Sequence, residues 1–148
     1  MRRSILTVGV IGAVIVGAAG LAFGSGDVSS PQTIHAVFAG TESKVLDSSP
    51  SGPSLGDTQV VSGRILEGGK AVGRAAFDCT VHRGFVACEG AGKVSGGQVA
   101  FQGISWNNTN RHVWAITGGT QTYDNARGSI VIQDVSARRS KVTINVIP

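Results

Sequence analysis

Residues 77–90, FDCTVHRGFVACEG, read as a strand, a tight turn and a second strand. Arg83-Gly84 suits a two-residue hairpin loop, because such loops need positive φ and glycine supplies it without strain. That loop sets His82 opposite Phe85, Val81 opposite Val86, Thr80 opposite Ala87 and Cys79 opposite Cys88. Antiparallel pairs alternate between hydrogen-bonded and non-hydrogen-bonded, starting hydrogen-bonded beside the turn. The cysteines therefore fall on a non-hydrogen-bonded pair, where Cα atoms approach to roughly 4.5 Å. This is the short edge of disulfide geometry. A cross-strand disulfide between Cys79 and Cys88 is the expectation; two free buried thiols are the alternative.

The turns on either side repeat the logic. Gly68-Gly69 pairs Glu67 with Lys70 and Leu66 with Ala71; Gly96-Gly97 pairs Ser95 with Gln98 and Val94 with Val99. Carried through four segments, one face holds Val60, Ser62, Arg64 and Leu66, then Gly73, Ala75, Phe77, Cys79 and Val81. It continues with Val86, Cys88, Gly90, Gly92 and Val94, then Val99, Phe101, Gly103 and Ser105. The other face is polar, with Gln59, Glu67, Lys70, Arg74, Asp78, Glu89, Lys93 and Gln102 among its members. A period of two over four consecutive segments predicts an antiparallel sheet. An eight-stranded barrel holds either packed side chains or one small ligand. Gly73, Ala75, Gly90, Gly92 and Gly103 leave room that large aliphatics would fill, or else mark bends where a barrel closes.

Three further strands follow the meander: Arg111 to Thr117, Arg127 to Val135 and Lys141 to Ile147. One long strand, Gln32 to Leu46, precedes it, with a Pro/Ser/Gly-rich loop from Asp47 to Gly56 between. Residues 118–126 read as a turn, with room for one helical turn around Thr122–Asn125. The prediction is all-β: eight antiparallel strands, in order, with short connections. Met1-Arg2-Arg3 ahead of an apolar run from Ile5 to Phe23 has the layout of a secretory signal. Residues 1–24 are thus expected to be a cleaved signal peptide, 25–31 a linker and 32–148 the barrel domain. The alternative is an uncleaved anchor, since the run approaches the length of about 20 residues that spans a bilayer. The chain carries 13 basic and nine acidic side chains. Residues 1–24 take two of the basic ones, leaving 11 against nine. No Lys/Arg stripe interleaves with aromatics, so nucleic acid is not an expected partner.

Three stretches resemble the allene oxide cyclase and dirigent superfamily, over roughly residues 33–148. They are VGRAAFD at 72–78, GGQVAFQG at 96–103 and ITGGTQTYDNARG at 116–128. The last matches a signature carried here by Gly118, Gly119, Thr120, Tyr123, Ala126, Arg127 and Gly128. Gln121 departs from it, standing where the family usually has glycine. The chain is most similar to exported actinobacterial members with a paired-cysteine hairpin. The resemblance implies an eight-stranded antiparallel up-and-down barrel, often a trimer, with an elongated internal pocket. Plant allene oxide cyclases close an unsaturated fatty-acid epoxide; dirigent proteins steer coupling or cyclisation of phenolic intermediates. The signature argues for fold rather than activity, and no catalytic residue transfers by motif.

From the residues, the ligand-pocket candidates are Arg64, Phe77, Phe101 and Trp114. Arg64 points inward in the register above, where a charge needs a partner or an anionic ligand. A one-residue bulge would instead turn it outward. Asp78 and Glu89 stand opposed, either as an acid/base pair or as part of a solvated network with Arg74 and Lys93. Trp114, with His112 on its face, either stacks on a ligand at a pocket mouth or buries against another subunit. His35, His82 and His112 have no metal-ligand spacing, and no phosphate loop, nucleotide fingerprint or Ser-His-Asp pattern is present, so neither metal nor cofactor is expected. The resemblance, taken with the secretory layout and the inner face, implies an exported, secreted barrel binding a small apolar or phenolic molecule and steering its cyclisation or coupling, an isomerase-like activity. A non-catalytic binding or structural barrel is the other reading.

Overall fold

Strands with one wet and one dry face must hide eight dry faces together, and closing the sheet does so while removing every open edge. A computed structural model of the protein describes residues 30–48 and 50–147, so the expected signal peptide lies outside the described residues. The strands are β1 (Gln32–Leu46), β2 (Thr58–Glu67), β3 (Lys70–Val81), β4 (Phe85–Val94), β5 (Gly97–Trp106), β6 (Arg111–Gln121), β7 (Arg127–Ser136) and β8 (Arg139–Ile147). Each pairs antiparallel with its neighbours, and β8 closes on β1. The β2–β3, β4–β5 and β6–β7 turns share one end of the barrel with the start of β1, here the floor. The β1–β2, β3–β4, β5–β6 and β7–β8 connections form the mouth.

The central hairpin takes the expected register, from Val81↔Val86 to Cys79↔Cys88. His82 N donates to Phe85 O at 2.8 Å beside the turn. Cys79 and Cys88 are disulfide-bonded, with Cα atoms 4.1 Å apart. Two flanking expectations need correction. At Gly68-Gly69, Glu67↔Lys70 and Leu66↔Ala71 hold, but the next pair is Ile65↔Gly73. Val72 is a bulge, and everything beyond it on β2 turns over. Val61 and Ile65 face inward; Val60, Ser62 and Arg64 face outward. The alternative would bury the Arg64 guanidinium and expose two aliphatic side chains, a far larger penalty than one interrupted ladder step. At the β4–β5 turn, Val94 pairs with Gly97 and Gly92 with Val99, so the loop is Ser95-Gly96 rather than Gly96-Gly97. A slip of two residues preserves the faces. Gly97 belongs in the ladder because its bare Cα lets the Thr120 carbonyl come close.

The stretch 118–126 is not wholly a turn. β6 leaves β7 at Ile116↔Gly128 but stays with β5 through Gly118, Gly119, Thr120 and Gln121, after a shift at Thr117. Overlapping turns follow, with Tyr123 N donating to Thr120 O, Asp124 N to Gln121 O and Ala126 N to Tyr123 O. They carry Tyr123 across the barrel end, where its hydroxyl donates to Ser95 O at 3.3 Å. Tyr123, Ala126 and Val146 are all buried there and make the floor. A Cβ on Gly119 would meet the Tyr123 Cβ at 2.7 Å, so the glycine is a condition of the closure.

The mouth is held differently. Asp57 is buried, and its carboxylate accepts hydrogen bonds from Ser48 N (2.8 Å), Ser54 N (2.7 Å) and Ser54 Oγ (3.0 Å). Its backbone fastens the β1–β2 loop to β3, with Val81 N donating to Asp57 O at 2.8 Å. The Ser48 and Ser54 main-chain donors hold this carboxyl below its ordinary 3.8 against the opposing effect of burial.

Two outcomes are expected. Gln121 sits at φ 60°, the left-handed region that costs a residue with a Cβ about 1 kcal/mol. Gln121→Gly is expected to raise the chemical-denaturation midpoint, and a lowered midpoint would contradict the strain. Because the Asp57 carboxyl has a depressed value when folded, its contribution is complete above the ordinary value and is lost as pH falls through the folded one. Amide protection of the β1–β2 loop, measured against that of β3 and β4, is expected to fall below about pH 4. Asp57→Asn should lower that protection at neutral pH and remove its acid dependence.

Candidate functional site

Inside the strands lies a cavity of about 480 Å³, within the range of roughly 300–1,000 Å³ common for small-ligand sites. Its deep wall is aliphatic and aromatic, with Ile34, Phe38, Val61, Ile65, Ile130 and Ile144 completing the circle, and the Cys79–Cys88 disulfide forms part of it. The small residues divide into two groups. Gly92 and Ala75 line the lumen, and the nearest atom to a Cβ on Gly92 would be Ile65 Cδ1 at 3.4 Å. Gly90 and Gly103 are instead covered by aromatic side chains: a Cβ at Gly90 would meet Phe77 Cβ at 2.5 Å, and one at Gly103 would meet Trp114 Cγ at 2.7 Å. These glycines let Phe77 and Trp114 pack close against the backbone of β4 and β5, so the lumen narrows without filling.

Three of the four pocket candidates come together. Phe77 stands edge-on to Trp114 with centroids 5.4 Å apart, and Phe101 stacks on the indole at 5.6 Å and 18°. Trp114 is 4% exposed and inside the barrel, and its Nε1 donates to Ser105 Oγ at 3.1 Å. The subunit-contact reading of Trp114 therefore gives way. Trp106, by contrast, is 59% exposed at the rim, edge-on to Phe85. Arg64, the fourth candidate, is corrected: the Val72 bulge sets it on the outer wall, exposed and opposite Arg74. Asp78 does oppose Glu89, and Arg74 opposes Lys93, but in separate outer rows four residues apart, about 13 Å along the strand. The carboxylates do not reach the lumen.

Sequence reading placed His112 on the face of Trp114 but overlooked its partner. On β7, Ile130, Ile132 and Asp134 alternate onto the inner face and all three line the cavity. Asp134 Oδ2 lies 3.3 Å from His112 Nε2, and Asp134 Oδ1 accepts from Ser140 Oγ at 2.7 Å. The signal was available as a carboxylate in phase with two inward isoleucines. Among the described residues no three His, Cys, Asp or Glu side chains converge as metal ligands would.

No family model matches the chain, and no curated protein matches it. Solved structures do. A pyocyanin demethylase superposes with a TM-score of 0.70 at 22% identity, over 78% of this chain and 99% of that one. The Diels-Alderase AbmU from Streptomyces koyangensis gives 0.64 at 8%, over 77% of this chain and 63% of the enzyme's. A pterocarpan synthase dirigent protein gives 0.60 at 16%, over 79% and 93%. At these identities the likeness concerns architecture. In its fold, the chain is a closed eight-stranded antiparallel barrel similar to those of these three proteins.

Proposed function

We propose that the barrel takes up one small, largely apolar molecule, flat enough to lie against Phe77, Phe101 and Trp114, and steers its cyclisation or coupling. The observation that carries this reading is the cavity itself: closed at the Tyr123 floor, walled by aliphatic and aromatic groups, open at a polar mouth. Such a space favours folded conformers of a flexible precursor and keeps water from a reactive intermediate. Its architecture is shared with a Diels-Alderase and a dirigent protein, both named for controlling how bonds form in small molecules. The Cys79–Cys88 disulfide suits an oxidising compartment, in keeping with the secretory layout of residues 1–24. Secretion, cleavage of that segment and assembly as a homotrimer belong to the same proposal. A non-catalytic binding role has its own support: the deep polar atoms of Trp114 and Tyr123 are already paired with Ser105 and Ser95.

Filling the lumen tests the proposal. Gly92→Phe projects a ring into the cavity from a position without left-handed strain. It is expected to weaken binding of a naphthalene probe roughly tenfold or more, with an unchanged circular-dichroism spectrum. Arg64→Leu, on the outer wall, is expected to leave that affinity unchanged. Equal affinity in Gly92→Phe and the native protein would put the probe, and the proposed site, elsewhere. Native mass spectrometry of protein from culture medium addresses the remaining parts: a shortened N-terminus and a trimer mass are expected, and an intact chain found only in membranes would replace the signal peptide with an anchor.

A further inference from the structure

Among the described residues, a single buried side-chain polar atom lacks a hydrogen-bond partner, and it belongs to a residue of the cavity wall. His112 lines the cavity, its side chain is 12% exposed, and its Nδ1 is buried with no hydrogen-bond partner among the described residues. The other ring nitrogen is committed. A carboxylate accepts only, and Asp134 already takes Ser140 Oγ–H on one oxygen, so the contact to His112 requires Nε2 to carry the hydrogen and donate it. The three side chains come from three neighbouring strands, β6, β7 and β8, which fixes the direction of the chain from Ser140 through Asp134 to His112. In the neutral ring, Nε2 donating leaves Nδ1 as an acceptor. A buried acceptor without a donor is a cost that a fold carries for a reason.

Resting on the small-molecule reading above, we propose that His112 Nδ1 accepts a hydrogen bond from a hydroxyl of the bound molecule, with Asp134 as the residue that positions the ring. The ligand class is thereby narrowed to flat, apolar molecules bearing a phenolic or enolic hydroxyl. The molecule lies with its apolar body against Trp114 and Phe77 and its hydroxyl toward the mouth. Shielding from water strengthens the contact, because solvent does not compete for the same nitrogen. Orientation follows from having one polar anchor: a molecule entering apolar end first is held, and one reversed buries its hydroxyl among isoleucines.

The test uses the full chain with Trp106→Phe, which leaves Trp114 as the fluorescent reporter of the two tryptophans. Affinities are measured for 1-naphthol, for its isostere 1-methylnaphthalene, and for 1-naphthaldehyde, a carbonyl acceptor. In His112→Phe, the affinity ratio of naphthol to methylnaphthalene is expected to fall about tenfold, the worth of one good hydrogen bond. Asp134→Asn gives a sharper readout that loss of structure does not mimic. The amide can donate to Nε2, so the hydrogen moves to Nδ1, and the preference is expected to turn from naphthol toward the aldehyde. An unchanged ratio in both variants overturns the anchor while leaving the cavity in place. If no probe binds the parent protein, the cavity reading itself fails and takes the anchor with it. Should His112→Phe not fold, Asp134→Asn alone decides.

Discussion

Closure is the constraint on which the rest of this structure depends. Once β8 pairs with β1, every inward side chain is confined to one cylinder, and the sum of those side chains decides between a solid core and a lumen. Gly90 and Gly103 settle it by letting Phe77 and Trp114 lie against bare backbone. The same aromatic mass placed over residues with side chains would be pushed toward the axis. Hydrophobic burial and an open interior are thus compatible here: Trp114 is buried, and Phe77 partly so, close against the wall itself.

Most of the frame was legible because a period of two and a glycine turn are local signals. The central hairpin, its disulfide, the inner faces of β3 to β5 and the gathering of Phe77, Phe101 and Trp114 all follow from such local rules. What escaped depended on comparisons across strands. Whether Val72 stays in the ladder is decided by where Arg64 would end up, and a count of residues from the turn does not contain that energy. Gly96 and Gly97 offered two turns of equal local merit, and the choice fell to Thr120 on the opposite side of β5. Asp134 passes without notice in the sequence, because its partners His112 and Ser140 reach it only across β6 and β8.

Four positions of the 116–128 signature have a physical account. Gly119 makes way for the Tyr123 side chain, Gly128 approaches the backbone of Asn145 and Val146, and Tyr123 with Ala126 forms the floor. Gln121 performs the same left-handed turn as a glycine would, under strain. Every one of these roles concerns sealing an end of the barrel, which is why the motif speaks for architecture and is silent about chemistry.

The sealed floor also has a kinetic meaning. A blind channel has one entrance, so whatever goes in must come back out past the Asp57-braced loop and the rim. If the barrel steers cyclisation as proposed, an extended precursor would lie along the wall for the length of the channel, whereas a cyclised one would be shorter and touch less of it. Ring closure would then loosen the hold on the molecule at the moment the work is done, and release would need no second door.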